Sequence, residues 1–517
     1  GDIELKYNVV LFGGSNSVAM DGLQKGLKQN NIHLTNLALG ATTSIQNLYE
    51  LKRERNQKFL QNADLIITES NVNELEEICD RYSKLSLDFL YEILVYFYEE
   101  LVKFNKKVLI ILLPCDMQNC KIVNNMHYWF ARKFGFNIID MDSYYKMNDL
   151  YFFHNLYDSL HPMNSIMREL GINIIKNIIF FQKSKRIKTE NYIFKECHIE
   201  DLIVRKGSIK RKHYKNSMYN ENVMSVDTNT ILQFPQKYCG YKIFAIHTWN
   251  KDDGLDWYQS TYHLSNIYIQ NKNNLIVKST NFLNSVIELK KEFIIDEQTY
   301  ITCVIENKNY TEYSRTAACW RPEAVFYDQF DLVGFFLILP NNSFSQKMSC
   351  KFLIDKVVEI AKEYDFNHLI PPIVQYKKMI DEYCTIVNPK QLLTLQEQFG
   401  YYSAKQRIKN QLSYKLGQSL IINSKNFFSI VLIPIYLLSV VIFYKQEQKI
   451  SKDKIKKLPP IESCLDYKEA MAIKNHLSYK LGQILIKNCK NWYKGGLFKL
   501  PFDIIKTYKI HKKKRAL

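Results

Sequence analysis

Glycine and proline are scarce, at 17 and 12 of 517 residues, which excludes collagen-like repeats and long flexible linkers. The 11 cysteines are odd in number and form no CxxC pair and no compact Cys/His cluster. A disulfide framework and a structural zinc site are therefore not expected, and the usage reads as that of a reducing compartment. Walker A and GxGxxG stretches are missing, so no nucleotide-binding motif is present. The chain opens on Gly1-Asp2 with no basic-then-apolar leader, and the absence of an initiating Met leaves the natural start open. What is present is the composition of a folded chain of about three domains: 46% hydrophobic, 24% charged and 14% aromatic.

Charge is segregated. The net charge is +18, and residues 401–517 alone hold 24 Lys/Arg against 6 Asp/Glu, so the first 400 residues sum to zero. This argues against a chain that binds nucleic acid along its whole surface. It favours a tail that meets something anionic.

Residues 1–186 alternate short apolar runs (7–13, 34–39, 63–68, 107–113, 137–141) with amphipathic stretches near 18–29, 44–60, 84–105, 120–134 and 163–182. That alternation predicts an α/β domain with a parallel sheet covered on both faces, its site at the carboxyl ends of the strands. Residues 190–345 read as short strands between polar turns, among them 242–247, 266–269, 274–277, 299–305 and 332–339, which predicts an antiparallel sandwich or barrel. Residues 346–400 read as a helical connector. Residues 401–517 contain a repeat: NQLSYKLGQ at 410–418 returns as NHLSYKLGQ at 475–483, followed by LIINSKN and LIKNCKN.

Four short segments fall at strand ends where chemistry is done. Gly13-Gly14-Ser15-Asn16-Ser17 follows the first strand and precedes a helix. There a Ser hydroxyl can reach the sheet edge beside helix N–H groups, or simply cap the helix. Gly40 ends the second strand region, and Glu69-Ser70-Asn71-Val72-Asn73-Glu74 follows the third; each also reads as an ordinary turn. Tyr157-Asp158-Ser159-Leu160-His161-Pro162 precedes the last helix and can set a carboxylate against one imidazole nitrogen. His154, in FFHN with no neighbouring Asp, reads as structural.

Together these segments resemble the SGNH, or GDSL-like, hydrolase and transferase family over about the first third of the chain. The resemblance implies an α/β/α three-layer fold with Ser15 as nucleophile, His161 as general base and acid, and Asp158 orienting it. It also implies an oxyanion hole from the Ser15 and Gly40 N–H groups and the Asn73 side chain, and a mechanism that requires no metal, nucleotide or other cofactor. Three positions depart from the family pattern: Gly14 replaces Asp in the first block, and Asn71 and Glu74 replace Gly and Asp in the third.

Elsewhere, aromatic and acidic clusters around Trp249, Asp252, Asp253, Asp256, Trp257 and Trp320-Arg321 are candidate sugar contacts, with sandwich core and solvated loops as the plainer reading. The uncharged run 427–444, interrupted by Pro434, and the Trp-, Phe- and Lys-bearing run 492–508 point to membrane association, spanning, re-entrant or interfacial. A helical domain built from the two repeats is the alternative. The SYKLGQ repeats resemble the C-terminal tails of transferases from capsule and surface-polysaccharide loci of some low-GC, Gram-negative bacteria. That implies a peripheral or re-entrant enzyme at the cytoplasmic face of the inner membrane. Its partners would be a polysaccharide or lipid-linked glycan acceptor, an activated donor of a small group (acetyl or a phosphoramidate-type group) and an anionic membrane, without nucleic acid. A deacetylase or an inactive polysaccharide-binding scaffold are the other readings.

Overall fold

The computed structural model describes residues 6–305, 309–315, 318–340, 348–387, 404–424, 432–450, 461–463 and 467–515. The chain forms two compact units, Gly1–Gln375 and Tyr376–Leu517.

The first unit begins with five parallel strands, β1 (Tyr7–Phe12), β2 (Ile32–Asn36), β3 (Leu65–Thr68), β4 (Lys107–Leu112) and β5 (Asn137–Asp140), in the order β2-β1-β3-β4-β5. Val9–Phe12, Leu65–Ile67 and Val108–Leu112 are buried throughout, as expected for β-branched and aliphatic runs covered on both faces. The winding reverses between β1 and β3, which opens a crevice at their carboxyl ends. Ten helices accompany the sheet: α1 (Ser15–Val18), α2 (Leu23–Leu27), α3 (Ser44–Lys52), α4 (Gln57–Gln61), α5 (Asn71–Cys79), α6 (Leu87–Val102), α7 (Cys120–Phe134), α8 (Met141–Met147), α9 (Tyr151–Tyr157) and α10 (Asn164–Lys176). β2 ends earlier than its apolar run predicts. Beyond it the Leu37 and Leu39 N–H groups still bond the Leu11 and Gly13 carbonyls, while the Asn36 side chain accepts from the Ala38 N–H and donates to the Ser17 carbonyl.

Two mixed-length sheets follow. One runs Leu275–Asn281, His263–Gln270, Tyr300–Val304, Ile231–Gln233, Ile203–Lys206, with Val325–Tyr327 joined in parallel to the second of these. The other runs Asn284–Glu288, Lys242–Trp249, Gln329–Ile338, Asn220–Asp227, Lys210–Lys215, with Phe194–His198 pairing the far end of the third. Ile243, Ile246, Leu332, Phe335 and Leu337 from one sheet share a core with Ile267, Ile269, Ile276 and Ile301 from the other, so the pair is a sandwich. The second sheet is also buried on its outer face. Phe244 and Phe336 there meet Phe89, Tyr96 and Tyr49 of the α/β part. Arg53, at the end of α3, binds Glu50, Glu196 and Glu221 within the same seam.

Residues 348–372 differ from the helical connector expected. They form three short 3-10 turns and extended chain, and they lie along β5. Phe366 N–H bonds the Ile138 carbonyl, and Asn367 Oδ1 accepts from the Asp140 N–H. A helix follows only at Ile373–Val387, and 388–403 lie outside the described residues.

In the second unit the two repeats become two equivalent helices, Leu412–Asn423 and Leu477–Lys490, which cross each other. A Cβ on Gly417 would stand 1.7 Å from the Ser478 carbonyl, and one on Gly482 would stand 1.5 Å from the Ser413 carbonyl. The contact is reciprocal, as in a pseudo-twofold pair, and rests on small residues four apart on each helix. Each repeat helix carries an outer helix, Ile433–Ile450 or Gly496–Arg515. Leu416, Leu420, Leu481 and Leu485 form the core between them. The run 427–444 is described only from residue 432. Its helix starts at Ile433, which puts Pro434 in the first turn, where its missing N–H costs nothing, rather than at a kink. Among the described residues no helix is long and apolar enough to cross a membrane.

Candidate active site

β1 delivers the turn Gly13-Gly14-Ser15, and Ser15 opens α1, with the Gly14 carbonyl accepting from the Ser17 and Val18 N–H groups. The glycines are there for space. A Cβ on Gly13 would stand 2.5 Å from Glu69 Oε1, and one on Gly14 1.9 Å from the Asn73 amide nitrogen. Residue 14 therefore has no room for a side chain, because Asn73 fills the place. A carboxylate comes from the end of β3. Glu69 Oε1 accepts from the Gly14 N–H (2.9 Å), the Ser17 N–H (3.2 Å) and the Ser17 hydroxyl (2.8 Å). Burial pushes the Glu69 carboxyl up to about 7, against the pull of those donors.

The loop after α9 supplies the partner groups. Asp158 Oδ1 accepts from the Leu160 N–H (2.8 Å), which fixes the loop, and Oδ2 lies 2.8 Å from His161 Nδ1. A carboxylate only accepts, so Nδ1 carries the proton and Nε2 faces Ser15 Oγ at 2.7 Å, ready to accept from it. Asn16 Nδ2 donates to the Leu160 carbonyl at 3.2 Å and ties the two loops together. Burial alone would raise the Asp158 carboxyl, but the Leu160 N–H and the His161 ring hold it below the ordinary value. The His161 and Asp158 side chains are 38% and 41% exposed, so the site is open at the surface.

Gly40 and Asn73 adjoin this chain. The Leu39 N–H bonds the Gly13 carbonyl at 3.0 Å, and a Cβ on Gly40 would stand 3.9 Å from Ser15 Cβ. Asn73 lies on the first turn of α5 with its amide against Gly14. Its neighbours are committed to structure. Asn71 exchanges hydrogen bonds with the Leu113 backbone. Glu74 meets His127 Nε2 at 2.8 Å and also accepts from the Ser44 hydroxyl. His154 is buried against Tyr145, and burial lowers its pKa.

The aromatic candidates separate. Trp249 is a correction: it is buried and packs edge-on against Tyr214, because it faces inward at the end of its strand, so its ring is not available to a ligand. Trp257 is exposed. Trp320 is partly exposed and stacks on Tyr82 at 4.5 Å, with the Arg321 guanidinium 5.2 Å from its ring centre. The acidic cluster is spent locally: Asp256 caps the helix Trp257–Ser260, Asp252 accepts from the Gly254 N–H and Asp253 pairs with Lys251.

Glu69 and Ser17 were not singled out in the sequence. The available signal was a carboxylate directly after a buried strand, two residues before Asn71, where solvent cannot satisfy it.

A family model described as a domain of unknown function (DUF8374) matches residues 337–513. No curated protein matches. Among solved structures, the chain is similar to a lipase from a goat rumen metagenome at 14% identity and a TM-score of 0.25, over 32% of this chain and 93% of that one. It is similar to TesA at 14% identity and 0.27, over 33% and 97%. A third is an alpha/beta hydrolase enzyme from the metagenome of Lake Arreo, Spain, at 13% and 0.28, over 34% and 95%.

Proposed function

We propose that the protein is an SGNH-type serine enzyme that moves a small acyl-type group on or off a hydroxyl of a surface polysaccharide, working at an anionic membrane face. One observation carries the chemistry: the unbroken chain from Asp158 through His161 to Ser15, with hydrogen-bond distances of 2.8 and 2.7 Å. In this reading Ser15 Oγ attacks the carbonyl of a donor ester while its proton passes to His161 Nε2, and Asp158 steadies the imidazolium that forms. The oxyanion faces the Ser15 and Gly40 N–H groups and the Asn73 amide. His161 returns the proton to the leaving group, and an acyl-Ser15 remains. A sugar hydroxyl, deprotonated by His161, then takes the group. A phosphoramidate-type group is the variant donor, attacked at phosphorus.

The openness of the site supports a large acceptor over an engulfed small molecule. Water in place of the sugar makes the same constellation a deacetylase. The inactive-scaffold reading is disfavoured by the intact proton path.

The experiment has two parts. A fluorophosphonate probe should label wild-type protein and not Ser15→Ala. Mass spectrometry and phosphorus NMR of glycan from cells carrying each protein then read the reaction. A substituent missing in the variant means transfer, and one gained means hydrolysis. Absence of labelling with folded protein sinks the serine-enzyme reading.

A further inference from the structure

The duplicated motif raises a question that helix packing does not answer. Within NxLSYKLGQ, Ser413/Ser478 and Gly417/Gly482 make the crossing, and Leu416/Leu481 fill the core. Lys415/Lys480 and Gln418/Gln483 are repeated as faithfully, yet they lie outside both. Each pair lines a groove between its repeat helix and its outer helix. One groove, of about 450 Å³, is bounded by Lys415, Gln418 and Ile422 with Phe443. The other, of about 370 Å³, is bounded by Lys480, Gln483 and Lys487. The two grooves occupy equivalent positions 65 residues apart.

The outer helices show the same duplication. Ile433–Ile450 turns Ile433, Leu437, Val440 and Val441 to the core. On the opposite side it exposes Leu438 (60%), Ile435 and Ile442, with exposed Phe443 (69%) on the flank that borders the groove. A helix that is apolar all round is normally covered all round. Gly496–Arg515 turns Leu500 and Ile504 inward and exposes Phe498 (85%) and Phe502 (75%), with Ile505. Exposed Lys499, Lys506 and Lys509 stand around that stripe. Asp503, the one acidic residue of this helix, accepts instead from Asn488 of the repeat helix. The excess of 24 Lys/Arg over 6 Asp/Glu in 401–517 gives this segment the sign that an anionic surface attracts.

We propose that the two-repeat helical unit is a lipid-docking module: the outer helices lie in the interface of an anionic bilayer through these apolar stripes, and the two repeat grooves receive lipid phosphates at Lys415 and Lys480. Aromatic and aliphatic side chains beside lysines suit that boundary, since the rings sit at headgroup depth while the ammonium groups reach the phosphates. The helices lie on the membrane rather than through it, consistent with the lack of a spanning helix among the described residues. The proposal deepens the membrane part of the reading above and does not depend on Ser15 chemistry.

The test is sedimentation of the full-length protein with vesicles of phosphatidylcholine, with and without phosphatidylglycerol. Binding should require the anionic lipid and weaken with salt. Phe498→Ser with Phe502→Ser should weaken it about 10-fold or more, since each substitution withdraws an aromatic ring from the apolar boundary. Lys415→Ala with Lys480→Ala should lower affinity for anionic vesicles several-fold and flatten the salt dependence. Unchanged fluorophosphonate labelling of the variants separates this result from the fate of the active-site reading, and unchanged circular dichroism shows that they fold. The proposal falls if wild-type protein ignores anionic vesicles, or if the variants bind as it does. It also falls if the stripes prove to close a concentration-dependent dimer that the Phe variants dissolve.

Discussion

Ser15 and His161 stand in reach of each other because four separate loops are tied at the sheet edge, and each tie is one side chain. Asn16 holds the Leu160 carbonyl, Asn36 holds the Ser17 carbonyl, and Glu69 holds the Gly14 and Ser17 N–H groups. Of these, Glu69 is the one that titrates in an accessible range. Its folded value of about 7 lies above its ordinary 4.5, so the folded protein binds this proton more tightly than the unfolded chain. That preference stabilises the fold fully below about 4.5 and is lost as pH rises through 7. The loss amounts to about 3 kcal/mol. Glu69→Gln should remove this component. Urea unfolding at pH 5 and pH 8 should show a steeper fall in wild type than in the variant. Equal slopes would mean that Glu69 does not titrate as its burial implies. Ser15→Ala, by contrast, should lose labelling with little change in stability, because Ser15 is at the surface end of the turn.

At the scale of elements, the crossing of the two repeat helices gives a prediction of reversed sign. In a helix with an open face, Gly→Ala adds about 0.4–1 kcal/mol by restricting the unfolded chain. Gly482 has no open face: its Cβ would fall 1.5 Å from the Ser413 carbonyl. Gly482→Ala should therefore force the helices apart and cost about 1–3 kcal/mol. A lower melting temperature and faster proteolysis within the second unit would show it. A stabilised variant would mean the helices do not meet through these glycines. The outer helices depend on the same crossing, since Leu481 and Leu485 form part of the core on which Leu500 and Ile504 rest.

At the scale of the molecule, the sandwich and the parallel sheet are joined into one unit by the seam around Arg53. Its guanidinium makes two bonds to Glu221 (2.8 and 3.0 Å) and one to Glu196 (2.9 Å), and it meets Glu50 at 3.2 Å. Burial would raise Glu221, but Arg53 foremost and Arg55 behind it hold it at about 2. A depressed carboxyl stabilises the fold above its ordinary value of about 4.5, and that contribution drains away as pH falls toward 2. Arg53→Ala removes the shared guanidinium from buried Glu50 and Glu221 and half-buried Glu196, leaving Arg55 as the remaining cation at Glu221. The expected loss is about 3 kcal/mol, toward the lower end for breaking a buried ion pair because Arg55 still compensates part of the charge. Thermal unfolding and limited proteolysis between residues 186 and 220 would measure it; a variant as stable as wild type would show that the apolar contacts of Phe244 and Phe336 hold the seam unaided.

The sequence by itself determined the parallel sheet, the sandwich strands and the repeat, because each is a local pattern. Buried strands must be apolar runs of five or so residues ended by turn formers, and Lys107–Leu112 lies within the stretch its run predicts. It also determined the residue types of the candidate site, since Asp158, His161 and Pro162 are spaced by the loop itself. Tertiary structure decided the rest, for reasons of distance. Glu69 and Gly14 are 55 residues apart, so nothing local says that the carboxylate of one holds the backbone N–H of the other. Trp249 and Trp257 are both tryptophans in polar surroundings, and only the direction of a strand decides that one is core and the other exposed. The SYKLGQ repeat announces two copies of something. Only the packed helices show that its Ser and Gly bring the copies together while its Lys and Gln line two matching grooves.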